Sequence, residues 1–231
     1  MENVKLYDLT NPQKSIYLTE QYASGTSINL ISGDMIFEES VDSSLIEKAL
    51  DIYIQTNDAM RIRICMKEGK LQQYISPHTP FKLKTINVSN KQELEEYKKK
   101  IINTPFKFLD SDLFSFTLFK LEDGTAQLNV TFHHIISDAW TMSLFVKKFM
   151  PIYLSLLKGQ EIVSSTDFSY LDFINSEKNY INSSRFQKDK EFWNNFFDSE
   201  PELSLISDKK EKFVDTTSKR IIYSLDNNLY S

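Results

Sequence analysis

A single cysteine, Cys65, stands among 231 residues, so no disulfide can close within the chain and a reducing compartment is the expected setting. No apolar run approaches the about 20 residues that a membrane-spanning helix needs, and Met1 to Ser15 is polar without a signal-peptide core. A cytoplasmic protein with no membrane partner is expected. Excess positive charge is lacking too: the formal charge is -5 and the pI near 5.3, which argues against a nucleic-acid partner. Even Lys98-Lys99-Lys100 reads as the solvated side of a helix rather than a binding patch. The sequence has no Gly-x-Ser-x-Gly turn, and so lacks the nucleophile elbow of a serine hydrolase. Internal repeats and low-complexity tracts are absent.

Histidine is scarce as well, with three in the chain, yet two of them are adjacent. The stretch Phe132-His133-His134-Ile135-Ile136-Ser137-Asp138-Ala139-Trp140 places an aspartate four residues past the second histidine. Upstream, Ala126 to Phe132 alternates apolar and polar residues, the pattern of a half-buried strand whose inner face carries Ala126, Leu128, Val130 and Phe132. If that strand continues unbroken, His134 shares the inner face and His133 takes the opposite one. Downstream, Ser137 and Asp138 are N-cap types, and Trp140, Leu144, Phe145, Lys148, Phe149 and Ile152 follow at roughly helical spacing. The pair thus sits on a strand-to-helix turn, where backbone N–H groups can stabilise an oxyanion while a neutral imidazole moves a proton. Packing alone also accounts for many histidine pairs. A metal site is disfavoured, because adjacent strand residues point apart, Cys65 is distant and His78 lies in a Pro-flanked loop.

With 41 % hydrophobic residues the chain can bury a substantial core. A strand is expected over 29–37, then a helix entered through Val41 to Ser44, with Ser44-x-x-Glu47 as a capping box and Leu45, Ala49, Leu50 and Tyr53 inward. Strands over 61–66 and 71–75 meet at a Glu68-Gly69 turn, and a helix over 92–103 stops before Pro105. Strands over 114–121 and 126–132 form a hairpin around Asp123-Gly124. Pro151 should kink or split the helix after the histidines, and Gly159 should end it. A helix over 186–197 carries Phe186, Trp193, Phe196 and Phe197 as core or lobe contacts. Residues 199–217 read as a linker and 220–225 as a short strand.

The histidine stretch resembles the His-His-x-x-x-Asp-Gly signature of the condensation domains of nonribosomal peptide synthetases, members of the chloramphenicol acetyltransferase-like superfamily. Further segments follow in the family's order. Leu9-Thr10-Asn11-Pro12-Gln13-Lys14-Ser15-Ile16-Tyr17 resembles the N-terminal motif. Asn57 to Ile64 is similar to the second motif, with Arg61 on its second arginine. Thr104-Pro105-Phe106 resembles a segment before the central strands, Tyr170-Leu171-Asp172-Phe173 the fourth motif, and Phe192-Trp193 the aromatic pair beyond it. Two departures stand out. Ala139 replaces the usual glycine, and the fifth to seventh motifs are absent.

The resemblance implies an α+β fold: one chloramphenicol acetyltransferase-like lobe, a mixed β-sheet with helices packed on it, the second lobe largely absent. Residues 1–180 would form the N-terminal lobe, and 181–231 a connecting helix, linker and entry strand toward the C-terminal lobe. It implies amide bond formation between acyl and aminoacyl thioesters brought by the phosphopantetheine arms of carrier proteins, with no bound cofactor or metal. His134 matches the catalytic histidine, which positions the attacking amine and accepts its proton; His133, directed away from it, reads as structural, and Trp140 as the first core residue of its helix. Asp138 would pair with Arg61, a buried pair whose disruption typically costs about 3–5 kcal/mol. An α-amino group (reference pKa about 7.7–8.0) is a stronger base than imidazole (about 6.5), so proton removal from the tetrahedral adduct is easier than from the free amine. Alternatives are an epimerisation domain, a standalone acyltransferase of the superfamily, and a non-catalytic carrier-binding half-domain. The 231-residue chain alone is expected to catalyse little.

Overall fold

The computed structural model describes residues 4–162, 169–197 and 199. The expected linker and entry strand lie outside the described residues, apart from Ser199.

Two sheets organise the chain. The smaller has the order β1 (Tyr7–Asp8), β4 (Lys70–Ile75), β3 (Ile62–Lys67), all antiparallel. The β3–β4 hairpin closes through Glu68 and Gly69, with φ of 52° and 76°; consecutive positive φ values match the right-handed twist of the strands. The larger sheet has the order β2 (Leu30–Phe37), β7 (Ala126–His133), β6 (Phe114–Leu121), β5 (Lys84–Val88). Its first three strands are antiparallel, and β5 runs parallel to β6. Mixed sheets with helices on them agree with the expected α+β class.

One face of the larger sheet forms the core. Phe116, Leu118, Leu128, Val130 and Phe132 meet α2 (Ser43–Thr56) and α4 (Ala139–Leu157). Rings of Tyr53, Phe116, Phe132 and Phe149 surround Phe145 at 5.1–6.1 Å. Emptying such a position, as in Phe145→Ala, typically costs about 3–5 kcal/mol. Gly33 on β2 makes room for α4, since a Cβ there would lie 2.7 Å from Met142 Cε. A helix α3 (Lys91–Ile102) covers Val88 and Phe119 at the other edge.

The opposite face of β7 departs from expectation. Gln127, Asn129, Thr131 and His133 are all buried, so the strand is enclosed on both sides. Their polar groups satisfy one another and β2: Asn129 Nδ2 donates to Asp34 Oδ1 at 2.8 Å, Thr131 Oγ1 to Asn129 Oδ1 at 3.0 Å, and Ser32 and Thr131 hydroxyls meet at 2.9 Å. Lys98 on α3 closes the set on Asp34 at 2.9 Å.

Several helix boundaries also differ. α2 starts from Asp42, which caps Ser44 N–H, while Glu47 turns away to accept from Leu83 N–H and Lys82; Ile46 and Ile54 join Ala49, Leu50 and Tyr53 in the core, and Leu45 is only half-buried. α4 runs unbroken through Pro151, because Pro151 is exposed and the flanking Phe149 and Tyr153 are held in the core, so packing outweighs the lost backbone bond. Gly159, at φ 66°, lies just past its end. Three α-helices, α1 (Asn11–Tyr22), α5 (Tyr170–Ile181) and α6 (Ser184–Phe196), and a short 3-10 helix (Asp58–Arg61) complete the described chain. α6 has no buried residue, so its aromatics make no core contacts among the described residues.

Candidate active site

β7 ends at His133, and a tight turn carries the chain into α4. His133 N–H donates to Leu113 O at 2.8 Å and His134 N–H to Asn29 O at 2.7 Å; Ser137 Oγ bridges back to His133 O at 2.9 Å. The strand therefore does not continue through His134. His133 remains on the buried polar face, and His134 is exposed. His133 thus lies on the polar face as expected, but His134 does not share the apolar inner face, because the strand ends before it and the turn leaves it exposed.

The two imidazoles are fixed in different tautomers. His133 Nδ1 accepts from Ile135 N–H at 3.0 Å, and its Nε2 meets Glu20 Oε2 at 3.3 Å. An N–H facing Nδ1 requires a lone pair there, so His133 is neutral with the proton on Nε2. Burial pushes its pKa below the ordinary histidine value, against the opposing pull of Glu20. Phe106 and Phe108 lie against the ring, at centroid separations of 6.4 and 5.4 Å. His134 is the reverse case. Its Nδ1 lies 2.7 Å from Ser137 O, and a carbonyl only accepts, so Nδ1 carries the proton and Nε2 holds the lone pair of the neutral ring. Among the described residues Nε2 has no hydrogen-bond partner.

His134 borders a cleft of about 620 Å³, within the size range of small-molecule sites. Ile16, Met60, Leu144, Tyr170 and Phe173 supply apolar walls, and Gln13, Asp138 and Lys148 are among its polar groups. α5 closes one side because two carboxylates hold it. Asp58 accepts from Tyr170 N–H at 2.9 Å and from Ser169 Oγ, while Glu177 accepts from Asn11 N–H at 3.0 Å. Each carboxylate sits at a helix start, where unpaired N–H groups favour negative charge.

Asp138 and Arg61 do not pair. Asp138 is exposed and caps α4: its Oδ1 accepts from Thr141 N–H and Oγ1, both at 2.8 Å, and Thr141 Oγ1 accepts from Asp138 N–H at 3.0 Å. These bonds, from the Thr141 hydroxyl first, hold its carboxyl below the usual carboxylate range. A cap of this kind is worth about 1 kcal/mol, not the 3–5 kcal/mol of a buried ion pair. The capping carboxylate also takes up donors that an oxyanion would need. Arg61 lines a different depression; its Nη1 donates to Ser76 O at 2.9 Å, and its Nε has no partner among the described residues. Arg63, two residues on, is the neighbour that carries an ion pair, on Asp112.

Ala139 opens α4 and is not among the residues with positive φ, so its methyl group costs the backbone nothing there. Trp140 is 66 % exposed and lies under Lys147 Nζ at 5.9 Å, contrary to the expectation of a core residue. His78 binds Asp51 at 2.9 Å, and no cluster of metal-ligating side chains occurs among the described residues. Glu20 and Asn29 carry no signal in the chain, and Asp58, though inside the stretch that resembles the second motif, acts through Ser169 and Tyr170, remote in sequence. Gln13, Tyr170 and Phe173 lie in stretches of family-like sequence, but nothing in them assigns these residues to the cleft.

A family model described as "Condensation domain" matches residues 3–230. Surfactin synthase subunit 1 of Bacillus subtilis (strain 168) is 34% identical over 207 residues, covering 87% of this chain and 6% of that protein. Bacitracin synthase 3 of Bacillus licheniformis is 26% identical over 232 residues, covering 99% and 4%. Among solved structures, the starter condensation domain of rhizomide synthetase superposes with a TM-score of 0.79 at 19% identity, covering 86% of this chain and 49% of that one. The first condensation domain of the calcium-dependent antibiotic synthetase gives 0.76 at 20%, with 86% and 49% covered. The chain thus spans about half the length of these solved domains and under a tenth of these two synthetases.

Proposed function

This chain belongs to the condensation-domain family of nonribosomal peptide synthetases, and from that premise we propose that it forms the His134-bearing N-terminal lobe of an amide-forming acyltransferase. The substrates are two thioesters delivered on the phosphopantetheine arms of carrier proteins. The amine of the acceptor attacks the donor carbonyl carbon; the C–N bond forms as the carbon–oxygen π bond opens to an oxyanion. Collapse of the adduct expels the donor thiolate. His134 takes the ammonium proton at Nε2 and can return it to the departing sulfur.

The observation that carries this reading is the Nδ1–H of His134 held on the Ser137 carbonyl, which leaves a basic nitrogen on a ring bordering the cleft. Orientation of the two thioesters would supply much of the remaining rate, as effective molarity can be worth about 7–11 kcal/mol. The reaction requires no metal and no resident cofactor. No helix among the described residues is long and apolar enough to cross a membrane, and a cytoplasmic setting suits substrates carried on phosphopantetheine.

The test is turnover of acyl and aminoacyl thioesters loaded on carrier proteins, followed by mass spectrometry of the product in a complete domain containing this chain. Amide should form, and His134→Ala should lower kcat by about 10²–10⁴ while the unfolding midpoint is retained, because the ring is exposed. An unchanged kcat in that variant would remove His134 from the reaction. Ester in place of amide would move the chain to the standalone acyltransferases.

A further inference from the structure

We propose that Gln13 is a positioning residue for His134: a buried amide that fixes the histidine turn by holding the carbonyl of Ile135. The proposal rests on the reading of His134 as proton acceptor. Gln13 lies in the first turn of α1, is 2 % exposed and borders the same cleft as His134.

Its amide is used completely. Oε1 accepts from Thr10 N–H at 2.9 Å and Gln73 Nε2 at 2.8 Å; Nε2 donates to Gln73 Oε1 at 2.7 Å and to Ile135 O at 3.3 Å. Thr10 Oγ1 is a further neighbour of Oε1 at 3.1 Å. Gln73 is tied in turn to Asp8 O at 3.0 Å. The reciprocal amide pair therefore joins α1 and the smaller sheet to a turn that grows out of the larger one.

The point of attachment matters. Ile135 follows His134, and its N–H is already held by His133 Nδ1 at 3.0 Å. That bond fixes the peptide plane between His134 and Ile135. Gln13 fixes the next plane through the Ile135 carbonyl. Together with Asn29 O on His134 N–H and Ser137 O on its Nδ1, the turn is restrained on both sides of the base. Without Gln13 the plane leading toward Ser137, the acceptor that sets the His134 tautomer, is held from one side only. A buried amide pair is a costly way to fill space, because each group left unpaired carries a full desolvation penalty. Its return is direction: a satisfied polar network admits one arrangement.

Two single variants separate positioning from mere stability. Gln13→Met and Gln73→Met break the same amide pair, but of the two residues Gln13 alone hydrogen-bonds Ile135. In the complete native protein, with donor and acceptor thioesters, Gln13→Met should lose about 10- to 100-fold in kcat with KM within a few-fold, the scale of a base misplaced by about 1 Å. Gln73→Met should destabilise comparably yet keep kcat to within about three-fold. The ¹⁵N signals of the His134 ring should move from the Nδ1–H form toward tautomer averaging in Gln13→Met and stay in place in Gln73→Met. If Gln13→Met does not fold, the double variant serves, since replacing both partners by apolar groups leaves no amide of the pair unmatched. Parallel loss of kcat in both single variants, or unmoved ring signals in Gln13→Met or the double variant, would overturn the proposal. If the unaltered protein makes no amide, the assignment of His134 fails, and the ring signals alone decide whether Gln13 positions it.

Discussion

Adjacent histidines acquire opposite chemistry here because one atom of each faces a different backbone group. His133 Nδ1 faces an N–H and must stay bare; His134 Nδ1 faces a carbonyl and must be protonated. The consequence for His133 is measurable. A second proton would set Nδ1–H against Ile135 N–H inside the fold, and burial already depresses its affinity for protons. The unfolded chain, with histidine near a pKa of about 6.5, then binds more protons than the folded one as pH falls, so stability is lost downward from about pH 6.5 and levels off below the folded-state value. One such group gives a slope of up to about 1.4 kcal/mol per pH unit. The depressed carboxylates, among them Asp8, Asp42, Glu47 and Asp138, lose their contribution only as pH falls through and beneath the ordinary carboxylate range, which leaves the window near pH 6 to the histidine. Urea midpoints from pH 8 to 5 should decline in the unaltered protein and flatten in His133→Gln; equal slopes in the two would exclude His133 as the source.

Among the elements, those closed by local chemistry were legible in the sequence. Glu68-Gly69 and Asp123-Gly124 mark hairpins because positive φ is needed between paired strands, and α3 stops ahead of Pro105. β5 was not legible: Lys84 to Val88 is short, and its pairing with β6 is parallel, so no turn joins the two. α1 is not legible for another reason, as its sequence is polar on average and its one buried side chain is Gln13. The alternation in β7 was visible, but a polar stripe ordinarily faces water. Here β2, α1 and α3 bring Ser32, Asp34, Glu20 and Lys98 to meet it, which only the tertiary fold could disclose. Of the motif residues, His134 borders the cleft, while Asp138 does not make the expected pair with Arg61, its partner being its own helix. Pro151 is the remaining mismatch, a helix breaker inside a helix. A proline interior to a helix costs about 3 kcal/mol relative to alanine, partly offset by up to about 1 kcal/mol of restricted unfolded-chain entropy. Because Pro151 is exposed, Pro151→Ala should raise stability by roughly 2 kcal/mol, or about 4–8 °C in Tm for a chain of this size. A lowered Tm would mean that the proline ring is itself a packing contact.

For the molecule as a whole, the distribution of apolar surface is uneven in a way that its own core does not explain. Phe192, Trp193, Phe196 and Phe197 stack on one another along α6 and its end, each more than half exposed. Contiguous aromatic surface of this kind is rare on a finished monomer. The chain spans about half of each solved condensation domain to which it is similar above, and the other half of such a domain is expected to cover this face. Both tryptophans of the chain are exposed, at 66 % for Trp140 and 54 % for Trp193. In a Trp140→Phe background Trp193 therefore reports on the α6 face alone. The 231-residue chain should show long-wavelength Trp193 emission, bind an apolar dye and form no amide. The same chain continued through the second half of the domain should show emission shifted to shorter wavelength, lose the dye and turn over thioesters. Emission that is unchanged between the two forms would mean that α6 faces solvent in the complete domain and that its aromatics serve a separate partner.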